Sequence, residues 1–331
     1  MRLCSKCGFI LDTRPGLQER DGVCLACINS ERKKSIDFAA RQEWLTKYIQ
    51  ERRTHPDYDC VIAVSGGKDS HIIVRRLIEN HGVKNPLLVS VTDEFTHSKA
   101  GKHNIDNLVN RYDLDLITFR CKPQTFKQET LNDFVQELHP LKWIEEKIYK
   151  VPVEIAKNYG ISLVFFGENS AFEYGTSEEL DIWHPASEMG KCEIIFMGAI
   201  YPYSITDSLA CAREIGFKDL DDFSEWPRQG SIDQYTQIDS IAYIIQLWTK
   251  YVKFGFQRVS DIACRYVREG IFTRAEAVKA IDRHDYICDP MAKTDFCQTI
   301  GITEDYFDSI VDHHANRELV EKREGVWRRK S

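Results

Sequence analysis

Four short apolar runs, each followed by an amphipathic stretch, shape the first two thirds of the chain. The runs are residues 59–64, 86–91, 114–119 and 161–166. Continuous apolar runs of this length are typical of strands buried on both faces of a parallel sheet. Between them apolar residues recur at helical spacing, as at Ile73 and Leu77. This alternation predicts an α/β fold, with helices covering both faces of a doubly wound parallel sheet.

The rest of the chain is less regular and then mainly helical. Residues 170–234 are rich in aromatic residues and prolines, and they predict either a cover over the sheet's ligand crevice or a surface insertion. Within this segment, residues 192–200 suggest a further strand. Residues 235–254 predict one long helix, and Thr273 with Glu276 forms a capping box that opens another.

Four N-terminal cysteines form two pairs with the spacing of a metal site. Cys4 and Cys7 make the first pair, and Cys24 and Cys27 make the second. Thiolate pairs at this spacing match a four-cysteine zinc ribbon. Because four protein ligands leave no open coordination position, we expect Zn²⁺ to be structural rather than catalytic. A redox dithiol is the alternative.

These patterns divide the chain into five expected parts. They are a zinc ribbon (1–30), a linker helix (31–57), the sheet domain (58–204), a mostly helical substrate or partner region (205–317) and a loosely attached charged tail (318–331).

Composition narrows the class of protein. The chain has 331 residues and a net charge of −7, which argues against a large non-specific nucleic-acid surface. No apolar run approaches membrane-spanning length, and the N-terminal residues lack the apolar core of a signal peptide. The 11 cysteines are therefore expected to be thiols and metal ligands in the cytoplasm.

The segment after the first apolar run predicts a phosphate site. Residues 65–70 read Ser-Gly-Gly-Lys-Asp-Ser. Two glycines let the backbone turn its N–H groups toward an anion, and the next helix adds its positive N-terminal end. Lys68 and two serine hydroxyls complete the site. The segment is not a Walker A loop, because Lys68 is followed by Asp69 rather than by serine or threonine.

Two other strand ends are expected beside this loop. Ligands of parallel α/β sheets bind beyond the carboxyl ends of the strands, where the strand order reverses. That rule brings residues 65–70, 92–93 and 167–169 around one crevice.

The hexapeptide resembles the loop of the PP-loop ATP pyrophosphatases, and the chain as a whole resembles the N-acetyl sugar amidotransferase family of these enzymes. Besides the cysteine pairs and the loop, the resemblance rests on C-terminal stretches. They are Ser231-Ile232-Asp233 with Asp239, Tyr251-Val252-Lys253-Phe254-Gly255-Phe256, Arg265, Gly270-Ile271-Phe272-Thr273-Arg274-Ala275-Glu276 and Ile281-Asp282-Arg283. The resemblance implies a HUP or PP-loop ATPase-like sheet.

The resemblance also implies the reaction. Such enzymes convert an acetamido group of a bacterial surface sugar, as in LPS O-antigen biosynthesis, into an acetamidino group. ATP with Mg²⁺ adenylates the amide oxygen, pyrophosphate leaves, and ammonia displaces AMP.

The resemblance assigns residues to two roles. The ATP-binding residues are Val64, Ser65, Gly66, Gly67, Lys68, Asp69, Ser70, Thr92, Asp93, Gly167, Glu168 and Asn169. The catalytic or sugar-binding residues are Lys68, Asp69, Glu168, Glu173, Lys253, Arg265 and Arg274. The last four could equally form structural ion pairs.

The source of ammonia is expected in another chain. A glutaminase needs a nucleophilic cysteine, typically in Gly-x-Cys-x-Gly, and the nearest match, at residues 22–26, uses Cys24 of the cysteine pairs. The resemblance implies a separate glutaminase subunit, with a cyclase-like partner of the kind used in histidine biosynthesis. A homo-oligomer stays open.

Two other functions compete. A PP-loop tRNA sulfurtransferase also adenylates a carbonyl oxygen, but it is expected to have a basic RNA-binding surface and often a further cysteine pair. A non-catalytic nucleotide-sensing subunit would not need the complete loop at residues 65–70.

Overall fold

The computed structural model describes residues 1–53, 55–167, 170–183, 192–202 and 204–330. The strands are β1 (Glu19–Arg20), β2 (Val23–Cys24), β3 (Cys60–Ala63), β4 (Pro86–Thr92), β5 (Leu116–Arg120), β6 (Leu163–Phe166), β7 (Glu193–Phe196), β8 (Val320–Arg323) and β9 (Val326–Arg329). The helices are α1 (Leu25–Arg32), α2 (Phe38–Arg52), α3 (Lys68–Glu79), α4 (Lys99–Tyr112), α5 (Pro123–Glu137), α6 (Lys142–Tyr159), α7 (Ser170–Tyr174), α8 (Ile205–Glu214), α9 (Ile244–Phe254), α10 (Arg258–Arg268), α11 (Arg274–His284), α12 (Pro290–Ile300) and α13 (Glu304–His314).

A five-stranded parallel sheet organises the middle of the chain. Its order is β5-β4-β3-β6-β7, and every neighbouring pair is parallel. The chain leaves β3 toward β4 and β5 on one side, and then returns to β6 and β7 on the other. The strand order therefore reverses between β3 and β6, which is where ligands bind in such sheets.

Helices pack on both faces of this sheet. Leu45, Val74 and Leu108, from α2, α3 and α4, belong to the apolar cluster on one face. Val151 and Ala156 of α6 belong to the cluster on the other. The predicted doubly wound α/β fold is confirmed, and the continuous apolar runs reflect burial of the strands on both sides.

The N-terminal cysteine segment packs against the C-terminal helices. The hairpin of β1 and β2 leads into α1, which begins directly after Cys24. The four cysteines share an apolar cluster with Cys264 of α10 and with Ala277 and Ile281 of α11. The first and last thirds of the chain are therefore joined by a common core.

The C-terminal helices surround an aromatic core. Phe134 of α5 lies 5.2 Å from Phe296 of α12 and 5.0 Å from Phe307 of α13, measured between ring centroids. Both contacts fall within the range of favourable aromatic pairs.

In the described part of the chain, no helix is long and apolar enough to cross a membrane.

Two predicted helices are shorter than expected. The stretch predicted as one linker helix is interrupted by a 3₁₀ turn at Lys33–Ser35, and α2 begins only after Asp37, whose carboxylate accepts the Ala40 N–H. The helix predicted from residue 235 begins at Ile244 instead. Loop hydrogen bonds hold the preceding residues, because Ile241 N–H donates to Thr96 and Ser98 N–H donates to Asp239.

The predicted loose attachment of residues 318–331 is wrong for the residues described there. β8 and β9 form an antiparallel hairpin. Val320 and Trp327 are buried in the C-terminal core, and the guanidinium of Arg317 lies 4.5 Å from the centre of the Trp327 ring. Four apolar residues among many charges gave too weak a pattern to predict this packing.

Replacing Trp327 should destabilise the protein strongly. Trp327 is 5% exposed, so Trp327→Ala should lower the free energy of unfolding by about 3–5 kcal/mol through lost burial and a residual cavity. Urea denaturation followed by circular dichroism measures the loss. Val326, the neighbouring residue, is 40% exposed, and Val326→Ala serves as the control. Equal, small losses in both variants would contradict the hairpin's packing.

Candidate functional site

The loop at residues 65–70 lies at the reversal in strand order and is shaped by its own hydroxyl groups. The Ser65 N–H donates to the Ser70 hydroxyl at 3.0 Å, and the Gly67 N–H donates to the Ser65 hydroxyl at 3.3 Å. Gly66 has φ +86°, and a Cβ atom there would lie 2.9 Å from Ile105 Cγ1 of α4. Glycine is therefore required at this turn for both conformation and space.

Lys68 and Asp69 place a charge pair at the start of α3. Lys68 is buried, and its ammonium donates to both carboxylate oxygens of Asp69 at 2.7 Å, whereas the Asp69 side chain is half exposed. Burial lowers the pKa of the neighbouring His71 to about 4, so its ring is neutral at pH 7. Lys68 and the first N–H groups of α3 thus provide the loop's positive charge.

The end of β6 reaches this loop. The backbone of Gly167 runs beside α3, so that a Cβ atom on it would lie 3.7 Å from Asp69 Cβ. Val64 extends β3 by donating its N–H to Val89. The structure therefore brings residues 64–70 and Gly167 together, as the switch-point rule predicts. Glu168 and Asn169, which were expected beside them, lie outside the described residues.

The end of β4 supplies the other predicted ATP-binding residues. The Thr92 hydroxyl lies 3.1 Å from His97 Nε2. The Asp93 carboxylate accepts the Phe95 N–H at 3.0 Å and the Ser240 hydroxyl at 2.7 Å. Through these two hydrogen bonds, Asp93 orders the loop that follows β4.

Asp239 is a partly buried acid, with its Oδ1 atom buried, whose placement the sequence did not predict. Burial, and to a smaller extent the charge of Asp93, raises the pKa of Asp239 to about 7. Burial also raises the pKa of Asp93. Asp239 stands within a C-terminal stretch that carries the family resemblance, but nothing in the sequence brings it to the end of β4.

A second group of predicted residues lines a cavity of about 320 Å³. Glu173 of α7 accepts a hydrogen bond from Arg265 of α10 at 2.7 Å, and these side chains are only 9% and 6% exposed. Lys33, Arg268 and Glu269 line the same cavity. The predictions missed all three, since adjacent charges at a helix end have no distinguishing pattern.

Lys253 and Arg274 are placed elsewhere. The Lys253 ammonium donates to the Glu137 carbonyl at 3.1 Å, and burial lowers its pKa to about 8. Arg274 Nε donates to the Cys4 carbonyl at 3.2 Å. Neither residue lines the cavity of Glu173 and Arg265. Each donates to a backbone carbonyl, which is a structural contact but not the ion pair that was the alternative to sugar binding.

Helix α10 has one residue influenced by the charge of Lys68 and two that line the cavity. Arg265 and Arg268 line the cavity, while Tyr266 between them lies close enough to Lys68 for their charges to interact. Burial raises the pKa of Tyr266, and the Lys68 ammonium lowers it by less. The Tyr266 hydroxyl lies 2.6 Å from that of Tyr235. Tyr266 therefore senses the charge at the start of α3, while its neighbours Arg265 and Arg268 line the cavity.

The cysteine pairs form a compact buried cluster. The ligand atoms of Cys4, Cys7, Cys24 and Cys27 lie within 4.8 Å of one another. Sulfur–sulfur distances are 4.0 Å for Cys4 with Cys27 and 3.8 Å for Cys7 with Cys24. Tetrahedral Zn–S bonds of about 2.3 Å would place the sulfurs about 3.8 Å apart. The four thiols thus fit a metal ion bound by protein ligands alone.

Comparison with known families identifies the C-terminal region. Residues 223–330 match the family model for the C-terminal domain of WbpG-like LPS biosynthesis proteins. The matched range includes Lys253, Arg265 and residues 270–276, on which the resemblance largely rests. The match confirms the family resemblance for this part of the chain.

A protein from an archaeon is similar over most of the chain. The uncharacterized protein MJ1599 of Methanocaldococcus jannaschii is 22% identical over 286 residues, covering 85% of this chain and 93% of the relative. Its description names no activity.

Two synthetases are among the similar solved structures. NMN synthetase from Francisella tularensis aligns with a TM-score of 0.42 at 11% identity, covering 75% of this chain and 93% of its own. NH₃-dependent NAD synthetase from Campylobacter jejuni, in complex with nitrate, aligns with a TM-score of 0.38 at 15% identity, covering 55% and 75%.

Breaking the buried ion pair of Glu173 and Arg265 should lower the free energy of unfolding more than breaking an exposed ion pair does. Arg265→Met leaves Glu173 buried without this partner, and it should lower the free energy of unfolding by about 3–5 kcal/mol. Adding Glu173→Gln should restore part of that loss, because the buried negative charge is removed. Urea denaturation of the single and double variants measures both effects.

The exposed pair of Lys47 and Glu43 on α2 provides the control. Glu43→Gln should cost about 0–1 kcal/mol. An Arg265→Met loss no larger than this would contradict the buried pair.

Proposed function

We propose that this chain is an ATP-dependent amidotransferase that converts the acetamido group of a bacterial surface sugar into an acetamidino group. The observation that carries the proposal is the Ser-Gly-Gly-Lys-Asp-Ser loop at the reversal in strand order, with Lys68 buried against Asp69. The match of residues 223–330 to an LPS biosynthesis domain supports a sugar as the substrate.

The proposed reaction has two steps. The acetamido oxygen attacks the α-phosphorus of ATP, the bond to the β-phosphate oxygen breaks, and pyrophosphate leaves as the amide nitrogen loses its proton. The product is an O-adenylyl imidate. Ammonia then adds to the imidate carbon, and the C–O bond breaks as AMP leaves with the former amide oxygen. Nitrogen replaces oxygen, and no oxidant or reductant is needed.

The loop residues have separate roles in the first step. The N–H groups at the start of α3 and the Lys68 ammonium bind the departing pyrophosphate and stabilise its charge. The hydroxyl groups of Ser65 and Ser70 fix the conformation of the loop by accepting hydrogen bonds from its backbone N–H groups. Thr92 and Asp93 border the adenosine, and Gly167, Glu168 and Asn169 border the α-phosphate.

Two metal ions are part of the proposal. The half-exposed Asp69 carboxylate suits Mg²⁺, which prefers oxygen ligands and is usually shared with substrate phosphates. Mg²⁺ would neutralise charge on the phosphates. The four-cysteine cluster suits Zn²⁺, with all four positions taken by thiolates, so this ion would be structural.

We also propose how the chain obtains its substrates. Glu173 and Arg265 border the sugar, since they line the cavity next to α10. Ammonia comes from a separate glutaminase subunit, with or without a cyclase-like partner, and the setting is the cytoplasm. Lys253 and Arg274 have no contact with this cavity, so we assign them structural roles.

The nucleotide products test the proposed reaction. Purified protein with ATP, Mg²⁺ and isotopically labelled ammonium should form AMP and pyrophosphate only when an acetamido sugar is added. Mass spectrometry should find the label in the sugar. Lys68→Met should slow AMP formation roughly 100-fold by removing a charge that stabilises the leaving group. Lys47→Met, an exposed lysine on α2, is the matched control.

Other products would reject the proposal. ADP in place of AMP would exclude adenylation. AMP formed with tRNA, and with none of the sugars, would indicate RNA modification instead.

Metal analysis tests the cysteine cluster. The full chain should contain about one zinc ion per molecule by elemental analysis. Cys27→Ser should lose the ion and lower the unfolding midpoint by roughly 10 °C, because metal binding contributes to folding. Cys211→Ser, a half-buried thiol on α8, should keep both the ion and the midpoint. Metal-free protein whose midpoint is unaffected by Cys27→Ser would contradict the zinc site.

A further inference from the structure

His71 directly follows the loop at residues 65–70 and is completely buried. Its ring meets that of Phe217 edge-on, with 5.3 Å between the ring centroids. Both ring nitrogens have hydrogen-bond partners. Nδ1 lies 3.1 Å from the carbonyl oxygen of Gly67, and Nε2 lies 3.2 Å from the side-chain nitrogen of Asn107. The ring therefore connects the loop to helix α4.

The two partners require the same tautomer of the ring. A carbonyl oxygen only accepts hydrogen bonds, so Nδ1 of His71 carries the proton and donates it to Gly67. An amide nitrogen only donates, so Nε2 is unprotonated and accepts from Asn107. The Asn107 nitrogen also donates to the Ile215 carbonyl at 2.8 Å, which fixes the orientation of the amide. Burial lowers the pKa of His71 to about 4, and this keeps the ring neutral at pH 7.

The accepting carbonyl belongs to the peptide that opens α3. Gly67 is the N-cap of this helix, and its carbonyl also accepts the backbone N–H of His71 at 3.3 Å. That backbone bond is longer than the usual distance of about 2.9–3.0 Å, so the ring provides a second contact to the same oxygen. In a planar trans peptide, the carbonyl and the following N–H point in opposite directions. Fixing the Gly67 carbonyl therefore fixes the direction of the Lys68 N–H, at the start of the helix.

We propose that His71 is a positioning residue for the loop at residues 65–70, and that its ring keeps the Gly67–Lys68 peptide aligned for the β- and γ-phosphates of ATP. This inference rests on the proposed function, which assigns the departing pyrophosphate to the loop. The buried ring has no contact with a ligand and acts through the peptide alone. Asn107 and Ile215 anchor the ring to α4 and to the end of α8, so three helices determine the geometry of the loop.

Calorimetric titration with two nucleotides tests the inference. α,β-Methylene-ATP has β- and γ-phosphates and cannot release pyrophosphate, whereas AMP lacks both phosphates and is the reference ligand. Both are titrated with Mg²⁺ and without sugar. His71→Phe should weaken binding of α,β-methylene-ATP about tenfold, because a misaligned N–H loses a hydrogen bond to a charged group. Its affinity for AMP should stay within about twofold of the parent's.

His81 provides a matched control beyond the other end of α3. It is also buried, and its ring nitrogens lie 2.8 Å from the Thr46 hydroxyl and 2.7 Å from the Tyr201 hydroxyl. Burial likewise lowers its pKa to about 4. His81→Phe therefore replaces a buried, neutral histidine without changing the loop, and it should bind both nucleotides as the parent does. Urea denaturation compares the stability of the two variants.

His71→Asn separates positioning from packing. The side-chain nitrogen of asparagine and Nδ1 of histidine are both bonded to the γ carbon, so asparagine can donate to the same Gly67 carbonyl. His71→Asn should therefore bind α,β-methylene-ATP more tightly than His71→Phe does, although it fills less of the buried space. A role in packing alone would give the opposite order, because the smaller side chain leaves a cavity.

Nitrogen-15 NMR at pH 7 tests the tautomer directly. The ring signals of His71, identified by their loss in His71→Phe, should show a protonated Nδ1 and an unprotonated Nε2. A charged ring, or a neutral ring protonated at Nε2, would overturn the inference.

Three binding results would also overturn it. They are a parent that gains no affinity from the two additional phosphates, an unchanged affinity of His71→Phe for α,β-methylene-ATP, and equal weakening of both nucleotides by His71→Phe.

The inference and the proposed function can fail separately. Binding of α,β-methylene-ATP that depends on His71, with no AMP formed from any acetamido sugar, would support the positioning role and reject the reaction. AMP formation from an acetamido sugar at the same rate in His71→Phe and in the parent would support the reaction and reject the positioning role.

Discussion

The buried ion pair between Glu173 and Arg265 holds the functional region together. An isolated charge in a protein interior costs several kcal/mol, so α7 and α10 must stay in contact to keep each charge paired. Arg268 adds a hydrogen bond to the Glu173 carbonyl at 3.2 Å. Because α7 follows the end of β6, this pairing attaches the C-terminal helices to the carboxyl edge of the sheet. The phosphate loop and the cavity depend on that attachment for their relative positions.

The cysteine segment also contacts the two helices, α7 and α10, that this ion pair joins. The backbone of Gly175 approaches α1 so closely that a Cβ atom would lie 2.3 Å from Ala26 N, which leaves room only for glycine. Cys264 of α10 donates its S–H to the Cys7 carbonyl at 3.4 Å. The N-terminal segment therefore packs against both α7 and α10. A structural metal ion there would stabilise the walls of the cavity as well as its own loop.

The predictions that succeeded concern features determined within a short segment. The turn at residues 65–70 is one of them, because its glycines and serine hydroxyls follow directly after a buried strand, whereas phosphate binding there stays a prediction. Each cysteine pair spans one turn, which directs its two sulfurs to the same side, and the four sulfurs lie within 4.8 Å of one another. The parallel sheet follows from apolar runs that alternate with helices. The boundaries of α2 and α9 were predicted less well, since Asp37 and the hydrogen bonds at Thr96 decide them.

The amino-acid sequence by itself thus determined the sheet, the turn at residues 65–70 and the cysteine pairs, because each is encoded by neighbouring residues with their own geometric requirements. Only the tertiary structure decided that Lys33 meets Glu173, that Asp239 approaches Asp93 and that Trp327 is buried. These contacts join segments far apart in the chain. Their residue types are common on protein surfaces, and burial against a distant partner is what gives each of them its role.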